Sequence, residues 1–142
     1  MHLRRYLIAL CGLLTVACTA PEESYVTDVK HFDPDHTALV KVKNPQGGAR
    51  GELKFFLRAD DRFQEDSLTL KIVTYTPDSL RTEELHRLIL PRGKRINALK
   101  SVIEIPYRRG VELREQGNYY FALTPTRSVE GIEAVGLLFR LE

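Results

Sequence analysis

Leu113-Arg114-Glu115-Gln116-Gly117-Asn118-Tyr119-Tyr120-Phe121 is the stretch whose reading decides the fold. A leucine, a glycine turn and a tyrosine opening a strand have the spacing of a tyrosine corner, in which the phenol bonds backbone a few residues upstream. Tyr119 or Tyr120 fills that role. Such a corner belongs to sandwiches of two antiparallel sheets, so the flanking segments should be strands with one face buried.

Upstream, they read that way. Ala38, Val40 and Val42 alternate with Leu39, Lys41 and Lys43; Leu53, Phe55 and Leu57 alternate with Lys54, Phe56 and Arg58; Leu68, Leu70 and Ile72 alternate with Thr69, Lys71 and Val73. Period-two patterning of this kind marks half-buried strands. Asn44-Pro45-Gln46-Gly47-Gly48 supplies turn chemistry after the first, a polar loop from Ala59 to Asp66 follows the second, and Thr76-Pro77-Asp78-Ser79 makes a tight turn after the third. Arg81 to Leu90 is less regular, and a short helix competes with a strand there. Past the break at Pro91-Arg92-Gly93-Lys94-Arg95, Ile103, Ile105 and Tyr107 share a face, with the late Pro106 marking either an edge position or a strand end. Downstream, Val135, Leu137, Phe139 and Leu141 share a face of a last strand. Seven to eight strands and no convincing long helix predict an all-β, antiparallel β-sandwich of the immunoglobulin or jelly-roll kind over residues 25–142.

The N-terminal end is of another character. Arg4 and Arg5 precede an uncharged apolar run, Tyr6 to Leu14, and then Thr15-Val16-Ala17-Cys18. The run falls short of the roughly 20 residues of a spanning helix and has the flanks of a cleaved secretory signal ending in a lipobox. Residues 1–17 are expected to be removed, leaving Cys18 to carry acyl chains such as palmitate; a conventional cleavage near Ala20 is the alternative. Several chains on one cysteine anchor firmly, since each buried methylene adds about 0.8 kcal/mol. Residues 18–24, with Pro21 and Glu22-Glu23, read as a polar tether.

Charge and cysteine usage narrow the function classes. The chain has 21 basic and 19 acidic residues, and the excess is matched by Arg4 and Arg5 in the signal. A balanced domain offers no footprint for nucleic acid. Of the two cysteines, Cys11 leaves with the signal and Cys18 is lipidated, so no thiol chemistry and no disulfide is expected. His31 and His36 flank Asp33 and Asp35, but Pro34 should splay them, and a polar turn is the reading preferred to a metal site. Asp60, Asp61, Glu65 and Asp66 crowd one loop without the spacing of a calcium-binding hand. No nucleophile elbow, phosphate loop or zinc-helix motif is present. No metal and no cofactor is assigned. Arg92, Lys94 and Arg95, together with Tyr107, Arg108 and Arg109, form two basic patches on expected loops and are the candidate binding residues. Tryptophan is absent, which leaves Tyr25, Tyr75 and Tyr107 as the aromatics on which sugars could stack.

Gly117-Asn118-Tyr119-Tyr120-Phe121, then Arg127, then Gly131-Ile132-Glu133-Ala134-Val135-Gly136-Leu137 resembles the closing segment of the gliding-motility lipoproteins of the GldH type in Bacteroidetes. Leu53 to Arg58, Ser67 to Leu70 and Thr76-Pro77-Asp78 are similar to that family's preceding strands and turn. Gly131 and Gly136 are the most specific part, because glycines in a strand mark close backbone approach or a bulge. The segment between Leu90 and Val102, the residue Ala134 and the Arg127-to-Gly131 spacing depart from the family pattern. The resemblance implies an outer-membrane-associated lipoprotein, not an enzyme, that works with envelope proteins of the gliding and type IX secretion apparatus. A surface lipoprotein binding glycans through its loops is the alternative expectation.

Overall fold

A computed structural model describes residues 21–91 and 100–142. Eight strands follow one another: β1 (Glu22–Asp28), β2 (Ala38–Asn44), β3 (Ala49–Asp60), β4 (Ser67–Tyr75), β5 (Arg81–Ile89), β6 (Lys100–Leu113), β7 (Gly117–Pro125) and β8 (Ile132–Leu141). They form two four-stranded antiparallel sheets, ordered β1-β8-β3-β6 and β2-β7-β4-β5. The sandwich expected from the alternation is the fold, and this strand order is that of a jelly roll. The signal segment, Cys18, Arg92, Lys94 and Arg95 lie outside the described residues.

The alternation reads out as burial. Leu53, Phe55, Leu57, Ile103, Ile105, Val135, Leu137 and Phe139 line the inner face of the first sheet; Val40, Val42, Leu68, Leu70, Ile72, Phe121 and Leu123 line that of the second. Asn44 is the polar residue buried among the described residues, and its amide donates to the Leu113 and Glu115 carbonyls at 2.7 and 2.8 Å. Those carbonyls belong to the β6–β7 turn, which Tyr119 closes from the other side: its hydroxyl accepts the Glu115 backbone N–H at 3.0 Å. Tyr119, rather than Tyr120, therefore makes the tyrosine corner.

One expectation is corrected, and one choice left open is decided. Residues 22–24 are not tether but the start of β1, which pairs with β8 from Glu22↔Arg140 to Asp28↔Ala134. An edge strand held by backbone pairing and largely exposed needs no apolar alternation, so composition concealed it. Over Arg81 to Ile89, where a short helix competed with a strand, the chain is strand: β5 pairs with β4 without interruption from Arg81↔Tyr75 to Ile89↔Ser67.

The two lateral sides of the sandwich differ. On one, β1 and β2 are stitched by side chains: Thr27 Oγ1 donates to the Leu39 carbonyl at 2.6 Å and the Tyr25 hydroxyl to the Lys43 carbonyl at 3.3 Å. On the other, β5 and β6 end their sheets without pairing to each other. The site lies on that open side.

Candidate functional site

β6 has an irregular course. Leu53 is opposite Arg108 while Lys54 is opposite Pro106, so Tyr107 is an extra residue, and a second shift falls between Gly51 and Leu53. Bulges bend a strand and re-aim its side chains. Here they bring Tyr107 and Arg108 to the same opening, which strict alternation would forbid.

That opening is a cleft of about 390 Å³ between the sheets. Leu53, Val111, Leu113, Tyr119 and Phe121 give it an apolar lining, while Thr74, Thr76, Thr82 and Glu84 contribute polar groups from β4, its turn and β5. Across its mouth the Tyr107 hydroxyl donates to Glu84, and the Arg108 guanidinium pairs with the same carboxylate. Tyr107 is packed 4.5 Å from Phe55 and edge-on to His86 at 5.1 Å between ring centroids. The Arg108 guanidinium lies 5.1 Å from the Tyr107 ring centre, within cation–π range. Burial, followed by the bond to Glu84, pushes the Tyr107 phenol up to about 12. Arg108 is raised above its ordinary value, first by its bond to the Tyr107 oxygen. The cluster is thus a neutral phenol and an ion pair at working pH, a set of directional polar groups over an apolar floor.

The edge beside this cleft has its own chemistry. Thr76 N–H bonds the Leu80 carbonyl at 3.0 Å and Leu90 N–H bonds the Asp66 carbonyl at 2.9 Å, one at each end of the β4–β5 hairpin. Since bonded and non-bonded pairs alternate in antiparallel ladders, residues 82, 84, 86 and 88 turn their backbone groups toward β4. Residues 81, 83, 85, 87 and 89 turn theirs toward the outer edge, where no strand among the described residues pairs with β5. Leu85 and Ile89 stand beside that edge, 69% and 65% exposed. β6, the other edge on this side, is blunted by Pro106 and two bulges, whereas β5 has neither.

Of the candidate residues, Tyr107 and Arg108 meet in the cleft, and Arg108 and Arg109 lie within β6 rather than on the loop expected for them, because the bulged strand continues past Pro106. Arg109 does not: it is directed to Glu52, 3.7 Å away, and is largely exposed. Tyr75 is on the outer face of the second sheet, so it and Tyr107 share no surface. Tyr120 faces outward beside Tyr75. Gly117 and Gly131 have positive φ, and a Cβ on Gly131 would meet the Phe63 nitrogen at 2.4 Å. Gly136 lies so close to β1 that a Cβ would meet the Tyr25 carbonyl oxygen at 2.2 Å. His36 Nδ1 is 2.7 Å from Asp33, which holds that carboxyl below its usual range. Among the described residues no three His, Cys, Asp or Glu side chains converge as a metal set. Sequence reasoning missed Glu84, His86 and the threonines, because only the spatial meeting of β5 and β6 gives them a role.

No family model matches the chain. No curated protein matches it either. Among solved structures it is similar to the crystal structure of a non-crystalline cellulose specific carbohydrate-binding module, CBM28, with 12% identity over 87% of this chain and 74% of that one and a TM-score of 0.43.

Proposed function

We propose that this chain is a lipid-anchored, non-enzymatic component of a cell-envelope machine of the gliding and type IX secretion kind, and that it holds a protein partner by adding a partner strand to β5. The observation that carries the reading is the uninterrupted, unblunted β5 edge flanked by exposed Leu85 and Ile89. An extended peptide added there gains main-chain hydrogen bonds along the edge, and pockets for alternate side chains supply specificity. Every second side chain of the added strand would face the cleft closed by Tyr107, Arg108 and Glu84. The lipobox and the resemblance to GldH-type lipoproteins support the envelope setting, with Cys18 as the anchor.

Leu85→Pro tests the partner reading. It removes an N–H directed to the free edge and none from the β4–β5 ladder, so the domain should keep its thermal transition while crosslinked envelope proteins are lost from a pulldown of the full chain. Recovery of the same proteins with the variant would overturn the strand-addition reading. Cys18→Ala tests the anchor separately: the protein should leave the membrane fraction, and retention there without lipid on the mature terminus would overturn it.

A further inference from the structure

The outer face of the second sheet combines charge and apolar exposure in a way the rest of the domain does not. Register places Lys41, Tyr120, Tyr75 and Arg81 in one row across all four strands. At about 4.8 Å between strands, that row spans about 14 Å. Lys43, Lys71 and Arg87 stand on the same face, whose strands contribute a single carboxylate, Glu83, bound to Arg81 at 2.9 Å and Lys71 at 3.7 Å. Leu39, 50% exposed, and Tyr75, 40% exposed, add to Leu85 and Ile89 an apolar component on that side. The outer face of the first sheet, by contrast, mixes Lys54, Arg58 and Arg140 with Asp28, Glu52 and Glu104. A domain balanced in charge overall therefore has one basic face with tyrosines and aliphatics among its cations.

We infer that this face lies against an anionic lipid surface. Lys and Arg side chains each gain about 1 kcal/mol near such a surface, and tyrosine with neighbouring cations suits the headgroup layer. The path of the chain supplies the second argument. Residues 1–20 join the domain at Pro21, and β1 runs beside β2 so that Tyr25 reaches the Lys43 carbonyl. The N-terminal connection thus enters at the Lys41–Lys43 end of the basic face. This inference rests on the membrane setting proposed above: lipid on Cys18 would hold the domain at the bilayer, and the basic face would then decide which side of the sandwich meets it. With the face down, the sandwich would lie on the bilayer and leave the β5 edge directed sideways.

The test uses the full chain with vesicles of phosphatidylcholine alone or with about one third phosphatidylglycerol, and reads amine labelling at single lysines. On the anionic vesicles Lys41, Lys43 and Lys71 should label several-fold more slowly than Lys54 on the opposite face. High salt should erase the difference, and Tyr75→Ala with Tyr120→Ala should reduce it. Equal labelling of both faces on floated anionic vesicles overturns the inference. So does protection given only by a soluble acidic polysaccharide, which would make the face a glycan surface. The anchor reading fails in a different way, by loss of flotation with phosphatidylcholine alone. Salt-reversible flotation on anionic vesicles together with selective protection would then still uphold the basic face.

Discussion

The Tyr107 hydroxyl bonds the Glu84 carboxylate across the gap between two strands that share no backbone pairing, 23 residues apart in sequence. With Arg108 on the same carboxylate, it is the side-chain latch of the open side. Tyr107→Phe and Glu84→Gln should each cost about 1–2 kcal/mol. The double variant should cost less than the sum, with a coupling of at least about 0.5 kcal/mol in denaturant unfolding. Strict additivity would show that the latch does not hold the sheets together.

Alkali should release the same latch. The Tyr107 phenol is pushed up to about 12, first by burial, and Tyr25 is also raised to about 12, by burial and then by its bond to Glu23. A free phenol titrates near 10, so the folded state retains protons that the unfolded chain has lost. The contribution to stability is complete below pH 10 and disappears as pH rises through 12. Unfolding midpoints should fall across that interval, and less steeply in Tyr107→Phe and Tyr25→Phe.

Close backbone approach makes two glycines irreplaceable. A Cβ on Gly51 would lie 2.0 Å from the Arg140 carbonyl oxygen, and one on Gly136 would lie 2.2 Å from that of Tyr25. Because backbone cannot swing away as a side chain can, Gly51→Ala and Gly136→Ala should each destabilise by about 3 kcal/mol or more. Hydrogen exchange should distinguish them: Gly136→Ala exposes the amides of β1, and Gly51→Ala those where β3 meets Leu141.

Asn44 and Tyr119 hold one turn from two sides. Asn44→Ala leaves the Leu113 and Glu115 carbonyls without their side-chain donor in a buried place, at a cost of about 1–3 kcal/mol. Tyr119→Phe removes the acceptor of one backbone N–H and should cost about 1 kcal/mol. Thermal unfolding of both variants checks the order.

Ion pairing at the surface should respond to acid in the opposite sense from the tyrosines. Arg127 bonds both Glu65 oxygens, at 2.8 and 2.6 Å, and holds that carboxyl below its usual range. Its contribution is present above the ordinary carboxylate range and is lost as pH falls through the lowered value. The pair is exposed, so added salt should shrink the effect in an Arg127→Gln comparison.

Residue by residue, legibility followed burial. Leu53, Phe55 and Leu57 announced β3 because each faces the core, whereas Pro106, which cannot donate to a ladder, left an edge or a strand end open, and β6 is an edge strand that runs on past it to Leu113. β1 was illegible beyond its length because Glu22 to Asp28 face mostly solvent, and β5 was blurred because Leu85 and Ile89 are apolar on the exposed side while Leu88 is buried. Tyr107 and Arg108 were legible as candidates, but not their union with Glu84. That depends on a one-residue bulge, which period-two reading cannot register. Arg109 was grouped with Arg108 by adjacency alone, and the chain turns it to Glu52 instead.

The seam between β1 and β8 has a mechanical consequence. From Glu22↔Arg140 to Asp28↔Ala134 the pairs run along β1, and Leu141 N–H adds a bond to the Pro21 carbonyl at 3.0 Å. A pull on the N-terminal segment along that strand loads the whole row together, in shear, rather than peeling one pair after another. With Tyr25 and Thr27 hydroxyls gripping β2 as well, such tension spreads into both sheets. Tension entering at Pro21 would thus be shared by the whole β1–β8 row and by β2 before the first strand could detach.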